Sequence, residues 1–386
     1  MQECHDALRC RYNTMTSHSI PSKSAVVLLE DDQPSPDHER MVHRALAVRL
    51  AGLLGIPFIP AAEVVPDTAN NYYYLPARTL IDHARYRPLG IATIHDLYGG
   101  VVARPFMATK AISHGLPPGA PGPEGWTTRF CELAGSALLD GFTVFSLTEA
   151  RLAGQVMLQR APLRLKPVRA TAGRGQTVIT QATELERALA LMDPDEVAIW
   201  GLVLEENLQS VQTYSVGQVA VADITVSYFG SQQLTLDHMG DSVYGGSELT
   251  VTRGGYPQLL GLPMDEATRL AIELAQRYEQ AALQSFPELI ASRRNYDVAR
   301  GLNHLGQWRT GVLEQSWRVG GASSAEVLAI EAFANDAALQ SVIASTHEVF
   351  DDKELPADAV LFYQGDDHEV GLISKYARVR DYEYSK

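Results

Sequence analysis

The 386-residue sequence predicts a mixed fold, α+β in its larger part with an α/β lobe at the start. Strand-like and helix-like runs alternate over roughly the first hundred residues, the signature of a small parallel lobe. Val, Tyr, Thr and Gly of alternating polarity fill residues 214–252, which reads as antiparallel sheet. Residues 265–286 have the length and period of a long amphipathic helix, closed by Phe286-Pro287. A chain this long exceeds the usual single core, so it divides into a polar lead-in at 1–24 read as disordered, an N-terminal lobe with its linker at 25–125, a small subdomain at 126–204 and a C-terminal subdomain at 205–386.

In order along the chain, residues 25–29 are a buried-strand run ended by Glu30, Asp31 and Asp32, an acidic stretch read as solvated loop. Met41, Val42, Leu46, Leu50 and Leu53 then recur at helical spacing until Gly55 and Pro57 stop them. Phe58-Ile59 and residues 72–75 are further strands. Residues 97–123 are rich in Gly and Pro and mark a lobe boundary, where Lys110 and His114 are read as surface polarity rather than a phosphate contact. A helix to Leu139, a strand at 142–145 and a helix at 148–158 lead into residues 163–179. There Leu163 and Leu165 alternate with Arg164 and Lys166, Gly173 and Gly175 punctuate the middle, and Thr177-Val178-Ile179 resumes a strand. This is a hairpin whose Gly-rich tip lets backbone N–H groups approach phosphate oxygens, with Lys166 as a compact positive charge; a plain hairpin with solvated cations is the alternative. Thr183 and Glu186 have capping-box spacing, as do Ser323 and Glu326 before a helix at 324–334. Residues 197–200 and 201–204 are strand-like, and strands at 296–299 and 310–313 flank a turn at Asn303. The tail after 336 gives mixed signals.

Composition narrows the partners. Hydrophobic residues at 46% and charged residues at 20% permit a large core, while a net charge of −14 argues against nucleic acid or an acidic membrane surface as partner. Cys4, Cys10 and Cys131 are odd in number and lack metal-ligand spacing, which fits a reducing, cytoplasmic compartment. No apolar run nears the ~18 residues of a membrane span, and the first residues lack the apolar core of a signal peptide.

Asp297 and Glu314 sit on the two strands flanking the Asn303 turn, so their carboxylates converge if the strands pair, a donor set suited to Mg²⁺. Arg318 adds a forked cation and Gly320-Gly321 permits close backbone approach. Lys166 before a Gly-rich hairpin, Val203-Leu204-Glu205-Glu206-Asn207-Leu208, Asp297, then Glu314-Gln315-Ser316-Trp317-Arg318 follow one another in an order that resembles the ATP-grasp superfamily. The likeness spans residues 126–330 and points to an outlying branch, biotin carboxylase-like or carboxylate–amine ligase-like. The resemblance implies an ATP-grasp fold behind a pre-ATP-grasp α/β lobe. It places Lys166 and Arg318 in the catalytic role, and Gly173, Arg174, Gly175 and Gln176 in a lid over the phosphates of ATP. Glu205 and Leu208 fall at the adenine, Gln212 at the ribose and Arg129 at an earlier phosphate contact. Asp297, Glu314 and Ser316 become ligands of Mg²⁺, with Ser316 where the family usually has Asn. His238 and His304 are read as loop histidines.

The activity so implied is ATP-dependent ligation of a small-molecule carboxylate to an amine or thiol, with a homodimer as the default assembly. A phosphotransferase or carboxylase-type enzyme, or a degenerate ATP-binding module without turnover, are the alternatives.

Overall fold

The computed structural model describes residues 23–30, 35–61, 71–169 and 175–382. β1 (Val26–Leu29) leads through helix α1 (Asp37–Leu54) to β2 (Phe58–Ile59) and β3 (Tyr73–Pro76), and the three strands form a parallel sheet in the order β2-β1-β3. Leu46, Ala47, Leu50 and Ala51 are the buried stripe of α1, which stops where Gly55 takes a left-handed φ of 67°. β4 (Leu80–Ile81), the single turn α2 (His83–Tyr86) and β5 (Gly100–Val102) follow.

The small subdomain holds α3 (Arg129–Ala134), β6 (Gly141–Val144), α4 (Leu147–Leu158), β7 (Leu163–Pro167), β8 (Thr177–Ile179), α5 (Ala182–Ala190), α6 (Pro194–Trp200) and β9 (Leu202–Glu206). Its strands make an antiparallel sheet in the order β6-β9-β7-β8, and Leu163, Leu165 and Leu204 pack beneath α4 and α5 against Ala150, Ala153 and Leu185. The strand expected at 197–200 is helix α6. Asp193 accepts from Asp195 N at 2.9 Å as its N-cap, and Pro194 takes the first helical position, where its missing N–H costs nothing. The capping box expected at Thr183 and Glu186 is also displaced. Gln181 is the N-cap, Glu184 reaches back to Thr180 N at 2.7 Å, and Glu186 pairs with Arg151 instead.

The large subdomain contains β10 (Gln209–Val221), β11 (Ile224–Leu236), β12 (Ser242–Arg253), α7 (Tyr256–Leu260), α8 (Glu266–Ser285), β13 (Ile290–Ala291), β14 (Arg293–Leu302), β15 (Trp308–Ser316), α9 (Ser323–Asn335), β16 (Ser341–Val349), β17 (Val360–Asp367) and β18 (Gly371–Asp381). Eight of these strands form one antiparallel sheet in the order β15-β14-β10-β11-β12-β16-β18-β17, so the tail after 336 supplies strands to it. Side chains alternate across the sheet. Tyr214, Val216, Tyr296 and Val298 face α8, while Val219, Tyr228, Leu249 and Ala344 face α9 and, beyond it, α1. That second face joins the N-terminal lobe to the sheet and carries the candidate site. Among the described residues, no helix is long and apolar enough to cross a membrane.

Candidate active site

Two walls carry the charged groups. On the small sheet, Arg164 lies opposite Glu205 across the β7–β9 pair, and the period of two puts Lys166 on the same face. Lys166 Nζ donates to Glu205 Oε1, and Oε2 lies 3.0 Å from His114 Nε2. Burial alone would push the Glu205 carboxyl up, but the Lys166 charge and the His114 hydrogen bond outweigh it and hold it at about 2. His114 can lie over this sheet because residue 141, opposite Glu205, is glycine: a Cβ there would fall 2.5 Å from Leu204 O and 2.9 Å from His114 Nδ1.

On the large sheet, Asp297 stands directly opposite Glu314, as the paired strands of the sequence imply. Gln232 Nε2 donates to Asp297 Oδ1 at 3.0 Å, and Lys110 Nζ lies 2.5 Å from Glu314 Oε2. Burial and the charge of Glu314 push the Asp297 carboxyl well above its ordinary value. The pair is short of positive charge. Two oxygen-bearing carboxylates in that condition fit a divalent cation such as Mg²⁺, which commonly takes one or two carboxylates and fills its shell with water and phosphate. Among the described residues there is no group of three or more His, Cys, Asp or Glu that could hold a metal, so phosphate and water ligands would have to complete it.

The connection between the walls overturns one expectation. Lys110 and His114, read from the sequence as surface polarity, are 5% and 2% exposed. The Gly/Pro-rich stretch is a strap rather than a free linker. Gln315 Nε2 donates to Met107 O at 3.2 Å and Thr109 O at 2.5 Å, Tyr278 links Gln315 to Ser113 at 2.9 Å each, and Thr143 Oγ1 donates to Ala111 O at 2.7 Å. The strap thereby presents Lys110 to Glu314 and His114 to Glu205. Three residues lie between the two, so their Cα atoms are within about 14 Å of each other by chain length alone.

Behind the large-sheet wall lies a buried ion pair. Arg293 donates bidentately to Glu326 at 2.9 and 2.8 Å; Tyr228 donates to the same carboxylate at 2.5 Å and Tyr98, from the N-terminal lobe, to its other oxygen. Glu326 is 0% exposed, so it is no capping residue; burial would raise its carboxyl, and the Arg293 guanidinium outweighs that and keeps it below its ordinary value. Arg293 Nη1 also donates to Ser316 O, Ser316 Oγ and Arg318 O at 3.2, 3.1 and 2.6 Å. It thus fixes the segment that carries Arg318. The alternation along β14 places Arg293 on the face of Asn295 and Asp297, which is the sequence signal that could have singled it out.

The other expected residues divide. Ser316 lies beside the acidic pair, but its hydroxyl accepts from Arg293 rather than standing open to an ion. Arg318 donates to Val319 O at 2.8 Å, and burial beside Arg293 disfavours its charge. Leu208 is buried against Leu139 and Ala299. Gln212 is exposed on β10 opposite Arg300. Arg129, expected at an earlier phosphate contact, is exposed at the start of α3, whose Phe130 packs on Tyr278 of α8. Gly173 and Arg174 lie outside the described residues, while Gly175 has a left-handed φ of 69° and Gln176 follows it into β8. His238 is a loop residue bonded to Leu372 O, as expected.

A small antiparallel sheet with its helices, set against a large antiparallel sheet across these charged pairs, is the layout that the ATP-grasp resemblance implies. The chain belongs to the family described as "Protein of unknown function (DUF3182)", whose model matches residues 26–377. None of the curated proteins compared with it matches in sequence. Among solved structures, phosphoribosylamine–glycine ligase from Thermotoga maritima is similar over 94% of this chain and 93% of its own, with a TM-score of 0.48 and 14% identity. D-alanyl-alanine synthetase A from Vibrio cholerae is similar over 77% and 89%, at 0.41 and 11%. D-alanine–D-alanine ligase from Bacillus anthracis, complexed with ATP, is similar over 77% and 86%, at 0.40 and 11%.

Proposed function

We propose that this protein is an ATP- and Mg²⁺-dependent ligase that activates a carboxylate as an acyl phosphate for attack by an amine or thiol. The observation that carries this reading is the strap, which brings Lys110 to Glu314 and His114 to the Glu205–Lys166 pair. Two lysines and two convergent carboxylates from remote stretches then make sense around one triphosphate.

Lys166 and Lys110 supply compact positive charges to phosphate oxygens. Glu205 has both oxygens taken by Lys166 and His114, so in this reading it holds the lysine in place and leaves adenine to the backbone near Leu208. Gly175 and Gln176 close over the phosphates. Asp297 and Glu314 would hold Mg²⁺, which when bound screens and orients the phosphate oxygens. A substrate carboxylate oxygen attacks the γ-phosphorus and ADP leaves; the amine or thiol then attacks the acyl carbon and phosphate leaves. Arg318, steered by the Arg293 anchor on its own carbonyl, balances oxygen charge during both displacements.

Calorimetric titration with Mg-ATP tests this. Lys110→Ala and Lys166→Ala should each weaken binding about tenfold or more, the worth of a charge-assisted hydrogen bond. Negligible losses in both would remove the lysines from the site. A ligase releases ADP and phosphate only with carboxylate and nucleophile both present, which separates it from a phosphotransferase.

A further inference from the structure

Lys110 reaches the acidic pair from a backbone that is pinned to the same strand. The 3₁₀ turn that it opens, Lys110–Ser113, is buried throughout, and Thr109 caps the turn by accepting from Ala111 N at 3.2 Å. Side chains alternate along β15, so Gln315 turns away from the site, where Tyr278 donates to it at 2.9 Å and it donates in turn to Thr109 O at 2.5 Å. Glu314, the residue before it, turns into the site and meets Lys110 Nζ at 2.5 Å. The backbone that carries the lysine and the carboxylate that receives it are thus tied to adjacent residues of one strand. What remains adjustable is the flexible four-carbon stem of the lysine.

An ammonium so placed competes with a metal. Glu314 Oε2 is an oxygen that a cation between Asp297 and Glu314 would use, and Lys110 already holds it. The lysine is 5% exposed, so it has little water to retreat into when a dication arrives. Free metal must then take the carboxylates beside a like charge, and away from water such repulsion is weakly screened. At Asp297 no such exchange arises, because the group on its Oδ1, at 3.0 Å, is the neutral Gln232 amide. A metal that arrives with a triphosphate meets a different balance. Phosphate oxygens accept the ammonium that the metal displaces from Glu314, and the three N–H donors of a lysine can follow them without a fixed geometry.

We propose that Lys110 selects the form in which metal enters the site: it holds the acidic pair as a tethered cation, opposes the free dication, and passes to the phosphates when metal and nucleotide arrive together. This rests on the ligase reading for the identity of the ligand. It gives one side chain effects of opposite sign, against free metal and in favour of the metal–nucleotide complex. A lysine that served as a phosphate contact and nothing more would leave the affinity for free metal unchanged.

The probe is Mn²⁺, which suits the same oxygen ligands as Mg²⁺, titrated into the nucleotide-free full chain while the unbound ion is followed by electron paramagnetic resonance. Lys110→Met should bind Mn²⁺ about tenfold or more tightly than the wild type, the worth of the charged contact removed, and adding Glu314→Gln should abolish that gain. Mn-ATP should move the other way, binding Lys110→Met about tenfold or more weakly. Lys110→Gln, which keeps a polar end at the buried position, stands in if Lys110→Met does not fold. Mn²⁺ bound no more tightly by the folded variant, a gain that survives Glu314→Gln, or Mn-ATP affinity that does not fall would overturn the proposal. The ligase reading fails separately: a wild type that binds no Mn-ATP sinks it, while a gain in Mn²⁺ affinity that depends on Glu314 would still set Lys110 against the free metal.

Discussion

The two walls of the site hold the same kinds of residue in opposite conditions. On the small sheet, Lys166, Glu205 and His114 are all buried and Glu205 accepts at both oxygens. On the large sheet, the Glu314 side chain is 33% exposed, and burial, with the charge of Glu314 beside it, pushes the Asp297 carboxyl above its ordinary value. The first wall is saturated and the second is short of a cation. A saturated buried cluster fixes geometry, since breaking it strands a charge away from water; an unsaturated and accessible one is where a ligand gains most by arriving.

Substitutions should therefore separate stability from chemistry. Glu205→Ala leaves Lys166 buried without its partner and should cost about 3–5 kcal/mol in denaturant unfolding. The same carboxylate makes the small wall acid-sensitive. Its value in the folded protein, about 2, lies below the ordinary 4.5, so its contribution is fully present above pH 4.5 and is lost as pH falls toward 2. That loss should be on the order of 3 kcal/mol and absent from Glu205→Gln, as measured by melts across this pH range. If Glu205→Gln showed the same acid loss as wild type, the contrast between the walls would be misassigned.

Glu314→Gln is the counterpart on the open wall. Its side chain is a third exposed but its partner Lys110 is buried, so stability should fall by less than the ~3–5 kcal/mol expected at Glu205, while Mg-ATP consumption should disappear. A turnover assay that found consumption intact would leave the acidic pair without a function. Smallest of all is Arg129→Ala, which should shift stability by under about 0.5 kcal/mol and leave Mg-ATP affinity unchanged. A tenfold loss of Mg-ATP affinity there would instead support the phosphate contact that the sequence suggested for it.

Local chemistry in the sequence determined much of this molecule. Asp265 caps the long helix α8, the Asn303 turn joins β14 to β15, and their pairing sets Asp297 against Glu314. Each of these rests on neighbours or on a hairpin, so residue spacing suffices to predict it. The same spacing misled elsewhere: Glu186 and Glu326 both have capping-box positions, yet one pairs with Arg151 on the surface and the other is sealed against Arg293. What distinguishes them is burial, which no local pattern encodes. Lys110 and His114 are the strongest case. Their partners, Glu314 and Glu205, are remote in the chain, and only the docking of the 107–115 strap between two sheets withdraws both from water. A charged side chain reads as solvated until its partner is known, because leaving water is unfavourable without one; the sequence supplied the charges, and the tertiary structure decided which of them meet.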